Sequence, residues 1–191
     1  MYTDFCEIIP GLLLGSVNDV DDMVRAGADV LVPLAFMHGS IWNTGFRGEI
    51  IYCPITDMSV LPDDVLYLLV EMISRRLDSC KKVGLFCAGG HGRTGYVAAC
   101  VLAERGVEDP IGFIRSKYSA KAIETEKQAE AVFRFARIID ETERLIKEEI
   151  GEADWLGSCG LYWQTKKRIL KERFGIEWHS PGDIYRGVIF D

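Results

Sequence analysis

Val83-Gly84-Leu85-Phe86-Cys87-Ala88-Gly89-Gly90-His91-Gly92-Arg93-Thr94-Gly95 runs from a short apolar stretch into a glycine-rich loop and on toward a second apolar stretch, Tyr96-Val97-Ala98-Ala99-Cys100-Val101-Leu102-Ala103. The first stretch has the length and composition of a buried strand, and the second reads as an apolar helix. Strand, loop and helix in that order form a unit of an α/β fold. The loop glycines let the chain curl so that successive N–H groups converge on one point, and the helix N-terminus adds partial positive charge there. Such a concavity suits an anion.

The residues bounding the loop set its chemistry. Cysteine reacts as the thiolate, which N–H dipoles, a helix N-terminus and a nearby guanidinium all favour at Cys87. Arg93 offers a planar fork able to hold two non-bridging phosphoryl oxygens. The Thr94 hydroxyl can donate to the thiolate as it leaves. Cys87, Gly90, Arg93 and Thr94 match Cys-x-x-Gly-x-x-Arg-Thr, and the segment resembles the Cys-x5-Arg protein tyrosine phosphatase superfamily. The alternative is a glycine-rich strand-to-helix turn with an inert, buried cysteine. That reading leaves Arg93 in apolar surroundings unexplained.

Other segments extend the resemblance over roughly residues 5 to 148. Glu7-Ile8-Ile9-Pro10-Gly11-Leu12-Leu13-Leu14-Gly15-Ser16 looks like the opening of the dual-specificity branch, with a strand pair leading to a helix at about Asp19 to Ala26. A strand from Asp29 to Phe36 follows. Glu49-Ile50-Ile51-Tyr52-Cys53-Pro54-Ile55-Thr56-Asp57 resembles the strand that delivers the family's general acid, and Asp57 stands thirty residues before Cys87. A departing alkoxide or phenoxide needs a proton in the transition state, and Asp57 is the candidate donor. The alternative for Asp57 is a solvated loop carboxylate. Asp63 and Asp64 follow Pro62 and read as first-turn residues of a helix. Ala122-Ile123-Glu124-Thr125-Glu126-Lys127-Gln128 looks like the late segment where the family places a water-orienting glutamine, matched by Gln128. Gln128 could also be a surface residue on a long helix from about Thr125 to Glu149.

The resemblance implies a twisted, mostly parallel central sheet flanked by helices. It also implies hydrolysis of phosphomonoesters through a cysteinyl phosphate, with protein phosphotyrosine, phosphoserine or phosphothreonine as substrate. On that reading Cys87, Arg93, Asp57, Thr94 and Gln128 are catalytic, and Ala88, Gly89, Gly90, His91, Gly92 and Arg93 bind the phosphoryl group. No cofactor or metal is called for. One departure stands out: the family usually has histidine immediately before the nucleophile, and this chain has Phe86. His91 within the loop adds charge only when protonated. A phosphoinositide or RNA 5′-phosphatase would use the same loop, although the loop lacks lysine. A sulfurtransferase fits Arg93-Thr94 less well, and a non-catalytic phosphate reader would not need both Cys87 and Arg93.

Composition bounds the rest. The chain of 191 residues is 48% hydrophobic and 27% charged, ordinary for a globular protein. Its net charge of −7 falls wholly on residues 1–150, which argues against a nucleic-acid groove. No stretch reaches the ~18 apolar residues of a membrane span. The N-terminal residues lack a basic region and an apolar core, so a cytoplasmic location is expected. Six cysteines without a Cys-x-x-Cys pair call for neither disulfides nor zinc. A boundary is expected at Gly151, dividing a catalytic domain, 1–150, from an appendage, 151–191. The appendage holds three of the four tryptophans, Trp155, Trp163 and Trp178, and a helix is expected over Tyr162–Phe174. It would pack on the core or serve as a lid or docking element. Met37 to Gly48, between two expected strands, would form one wall of the cleft.

Overall fold

Strand β5 (Val83–Cys87) is the middle strand of a five-stranded sheet ordered β1-β2-β5-β3-β4, with β1 Cys6–Ile9, β2 Leu12–Ser16, β3 Val30–Pro33 and β4 Glu49–Ile50. The computed structural model describes residues 5–36, 45–152 and 158–184. β2 and β3 flank β5 in parallel, β4 runs parallel to β3, and only the edge strand β1 is antiparallel. The mostly parallel sheet expected from the sequence is therefore present. β5 is buried along its whole length, as its unbroken apolar run requires between two covered faces.

Alternation along β5 sends its side chains to two cores. Val83, Leu85 and Cys87 join the main core, which helices α2 (Asp63–Asp78), α3 (Gly92–Glu104) and α5 (Glu126–Ile150) help to build. Phe86 points to the other face, where it packs with Leu13, Val20, Met23, Ala28 and Leu31 beneath α1 (Val20–Arg25). Gly84 lies under the Met23 sulfur and Leu31, where an added Cβ would come within 3.0 Å of both. The close seat of α1 thus depends on that missing side chain.

The sequence overstated two strands. The strand expected over Asp29–Phe36 is Val30–Pro33, and the one expected from Glu49 to Asp57 is only Glu49–Ile50. The chain beyond Ile50 still follows β3: Ile51 N donates to Leu31 O (2.9 Å), Cys53 N to Pro33 O (3.2 Å) and Ile55 N to Leu34 O (3.1 Å). Pro33 has no N–H to return the bond, so the ladder becomes one-sided and regular pairing stops. Helix α3 starts at Gly92, four residues before the apolar run that signalled it. Helix α4 (Pro110–Lys117), with Asp109 as N-cap accepting from Gly112 N (2.9 Å), was not read from the sequence.

Helix α5 begins with a capping box in which Thr125 and Gln128 exchange bonds, and it ends at Gly151 with φ of 74°. After it, α6 (Ser158–Phe174) packs on α5, and Leu170, Ile176 and Trp178 enter the main core. A short helix α7 (Pro181–Ile184) follows. Most of the loop expected as a cleft wall, residues 37–44, and Trp155 lie outside the described residues.

Candidate active site

The C-terminal ends of β2 and β5 come level at Ser16 and Cys87, and the glycine loop leaves the sheet there. Cys87 is buried at its base. Gly90 turns the loop with φ of 79°, a conformation that disfavours any side chain. A Cβ there would also come within 3.0 Å of the Tyr118 hydroxyl and of Gly15 C and O. That crowding is the loop's support. The Tyr118 hydroxyl donates to Gly90 O (2.8 Å), and Thr94 Oγ1 makes a long contact of 3.4 Å to Gly15 O. Ser16 caps the turn below, its N–H and hydroxyl both donating to Asp19 Oδ2 (2.7 and 2.6 Å).

Arg93 lies in the first turn of α3 with its side chain only 9% exposed, and two separate groups fix it. One guanidinium nitrogen donates to Ile55 O at 3.0 Å, and the other pairs with Asp57 Oδ1 at 2.9 Å. Asp57 itself is 70% exposed, so its carboxylate faces solvent while touching the buried arginine. It sits on a tight turn: Ser59 N donates to Thr56 O, and Met58 takes a left-handed φ of 58°. The segment running along β3 thus brings Asp57 to the loop.

Asp63 and Asp64 behave as the sequence indicated. Asp63 holds Arg134 of α5 through bonds of 2.8 to 3.0 Å, and Asp64, in the first turn of α2, accepts from Val65 N (2.9 Å). Gln128, by contrast, is not a surface residue. It is fully buried, with Oε1 accepting from Glu124 N (2.9 Å) and Thr125 N (3.3 Å), and Nε2 directed at Ser59 O (3.4 Å). Its side chain ties the start of α5 to the turn that carries Asp57. His91 heads α3, its ring 6.4 Å from that of Tyr118, and its Nδ1 is buried without a hydrogen-bond partner among the described residues.

Several supporting residues went unread. Arg115 donates to Ala122 O and Ile123 O (both 3.1 Å), and Ile123 N donates to His91 O (3.3 Å). Ala122 to Glu124 is therefore strapped against the loop. Neither Arg115 nor Tyr118 carries a local signal, since each acts on residues that only the fold brings near. Phe86 is buried on the far face of the sheet from the loop's supports, so position 86 serves the core beneath α1.

A model of the Swiss Army Knife protein DSP-PTPase phosphatase domain matches residues 33–141, a span that contains Asp57, the loop and Gln128. The chain belongs to this family. The structure of this phosphatase-family domain is similar to that of Tk-PTP in its active form, with a TM-score of 0.61 and 24% identity, covering 72% of this chain and 99% of that one. It is also similar to PTPMT1 (TM-score 0.63, 18% identity, 73% and 98% covered) and to human DUSP28 (TM-score 0.63, 14% identity, 73% and 97% covered). These likenesses show the fold. Two uncharacterized proteins of Methanocaldococcus jannaschii are 35% identical over 88 residues and 37% identical over 87, each match covering 46% of this chain. The matched regions span 55% and 59% of those relatives. Among the described residues, no helix is long and apolar enough to cross a membrane.

Proposed function

We propose that this chain hydrolyses phosphomonoesters through a cysteinyl-phosphate intermediate, with phosphorylated protein side chains as substrate. The observation that carries the reading is the convergence at Arg93. A carboxylate from a distant segment, Asp57, reaches the guanidinium of the loop that begins at Cys87, at 2.9 Å. Nucleophile, phosphoryl clamp and proton donor need that proximity, and a merely structural loop does not.

In the first half-reaction Cys87 attacks phosphorus in line with the leaving oxygen. Arg93 and the N–H groups of Ala88 to Arg93 hold the equatorial oxygens as charge spreads over them. The phosphoryl group displaces Asp57 from the guanidinium, and Asp57, protonated in the substrate complex, gives that proton to the leaving oxygen, while Ile55 O keeps the guanidinium plane in place. Thr94 supports the thiolate when the intermediate breaks down. Gln128 acts in this reading through position, holding the Ser59 turn and the start of α5 together. Exposed Met58 beside Asp57 and exposed Phe36 beyond β3 supply apolar surface suited to an aryl or peptidyl leaving group.

A turnover panel of phosphopeptides, phosphoinositides and 5′-phosphorylated RNA tests the substrate class. Phosphopeptides are expected to have the highest kcat/KM. Preference for a lipid or RNA by more than tenfold would replace the protein substrate while leaving the loop chemistry intact. Loss of all turnover in Cys87→Ser, with vanadate binding retained, is expected on any of the three.

A further inference from the structure

We infer that the cavity beside the glycine loop is a subsite for a basic side chain, arginine above lysine, that flanks the phosphorylated residue of a peptide substrate. The inference rests on the phosphatase reading above and narrows its substrate. Ser16, Asp19, Gly89, His91, Tyr118 and Ser119 line a cavity of about 250 Å³. Gly89 and His91 belong to the loop, so the cavity borders the phosphoryl site, and a Cβ on Gly89 would meet nothing within 4 Å. The volume lies below the ~300–1,000 Å³ of sites that enclose a whole small molecule, and it suits one side chain.

Asp19 gives the cavity its charge. It is only 7% exposed, yet among the described residues no lysine, arginine or histidine pairs with it. The bonds it accepts come from Ser16, whose N–H and hydroxyl both reach Oδ2 (2.7 and 2.6 Å). Neutral donors leave a carboxylate its full charge, and a buried charge without a counterion is costly. Glu49 and Asp63, each with a side chain 35% exposed, have arginine partners all the same. Capping the turn at Ser16 occupies one carboxylate oxygen; Oδ1 takes part in none of those bonds. A cation entering the cavity supplies the pairing that the fold withholds.

The other walls favour arginine. The rings of His91 and Tyr118 stand 6.4 Å apart and tilted by 45°, and the Tyr118 hydroxyl is fixed by its bond to Gly90 O. A guanidinium stacks on aromatic rings and spreads its N–H donors over a plane, so it can meet a carboxylate and a hydroxyl such as that of Ser119 together, whereas an ammonium is a compact point charge. The net charge of −7 draws cationic peptides toward the protein as a whole. A glutamate in the cavity would face Asp19 and be rejected, which adds discrimination to affinity. Since the loop itself holds the phosphoryl group, the side chain that reaches over its rim belongs to a neighbour of the phosphorylated residue.

Steady-state kinetics on a phosphopeptide scan tests this, with a neutral parent peptide and versions carrying arginine, lysine or glutamate at each position flanking the phosphorylated residue. In wild type, arginine at one position is expected to raise kcat/KM about tenfold or more over the parent, chiefly through KM, with lysine giving less and glutamate a fall. Asp19→Asn keeps an oxygen for the Ser16 cap and removes the charge, so the ratio of arginine peptide to parent should drop to within about twofold. Ser119→Arg, just after α4, puts a cation of the protein's own at the cavity and should erase the preference without touching the cap. Arginine no better than glutamate at every position in wild type, a preference that survives both variants, or a phosphoinositide turned over faster than every peptide would overturn the inference. The wild-type scan decides even where a variant fails to fold. Failure of the phosphatase reading looks different: neither the parent nor any version would be turned over, or Cys87→Ser would match wild type.

Discussion

Residue position 86 shows how the two faces of one strand divide the work. Phe86 and Cys87 are neighbours, yet the phenylalanine seals the core under α1 while the cysteine lies on the opposite face, in the main core at the base of the loop. Phe86→His would put an imidazole among Leu13, Val20, Met23 and Leu31, and is expected to destabilise the protein by about 2–4 kcal/mol. Urea unfolding measures this; a variant as stable as wild type would mean the ring finds a polar partner the packing does not offer. At Asp57 the expected loss is kinetic. Asp57→Ala should lower turnover by about two to four orders of magnitude, less as the leaving group becomes more acidic. Asp63→Ala should leave the rate nearly unchanged, because that carboxylate is engaged with Arg134. A larger, leaving-group-dependent loss at Asp63 would move the acid there.

Elements carry the site through their ends. Helix α3 delivers Arg93, the segment along β3 delivers Asp57, and the capping box of α5 fixes the strap from Ala122 to Glu124. Thr125→Ala removes one cap bond and is expected to destabilise by about 1 kcal/mol. It should also loosen the Glu124 segment, read as faster hydrogen exchange at the start of α5; unchanged exchange would uncouple cap from strap. The strand-loop-helix unit, the first-turn role of Asp63 and Asp64 and the long helix were legible, because each rests on local pattern. What stayed hidden was made by distant partners. The one-sided pairing after Ile50 follows from Pro33 on a neighbouring strand, and the burial of Gln128 follows from Ser59 and Gly92 closing over it. No window of sequence contains both halves of such a contact.

Among the described residues, the buried core joins the base of the glycine loop to the C-terminal segment, since Leu170, Ile176 and Trp178 share the cluster that contains Cys87. That cluster also holds Tyr67, Tyr96 and Cys100, whose ionisation burial pushes well up. Their folded-state pKa values are raised, so their contribution to stability is full below the unfolded values and declines as pH rises past them. Unfolded thiols and phenols titrate near pH 8.5 and 10, so stability should fall above about pH 8.5 by up to about 1.4 kcal/mol per pH unit for each group. Thermal unfolding between pH 7 and 10.5 checks it, and a flat profile would mean these groups ionise in the folded protein. The central claim concerns one bond. Acid-quenching wild type during turnover of an aryl phosphate and mapping the phosphate by peptide mass spectrometry is expected to place it on Cys87, with none in Cys87→Ser. Steady turnover with no phosphate on Cys87, or with phosphate on another residue, would contradict the account.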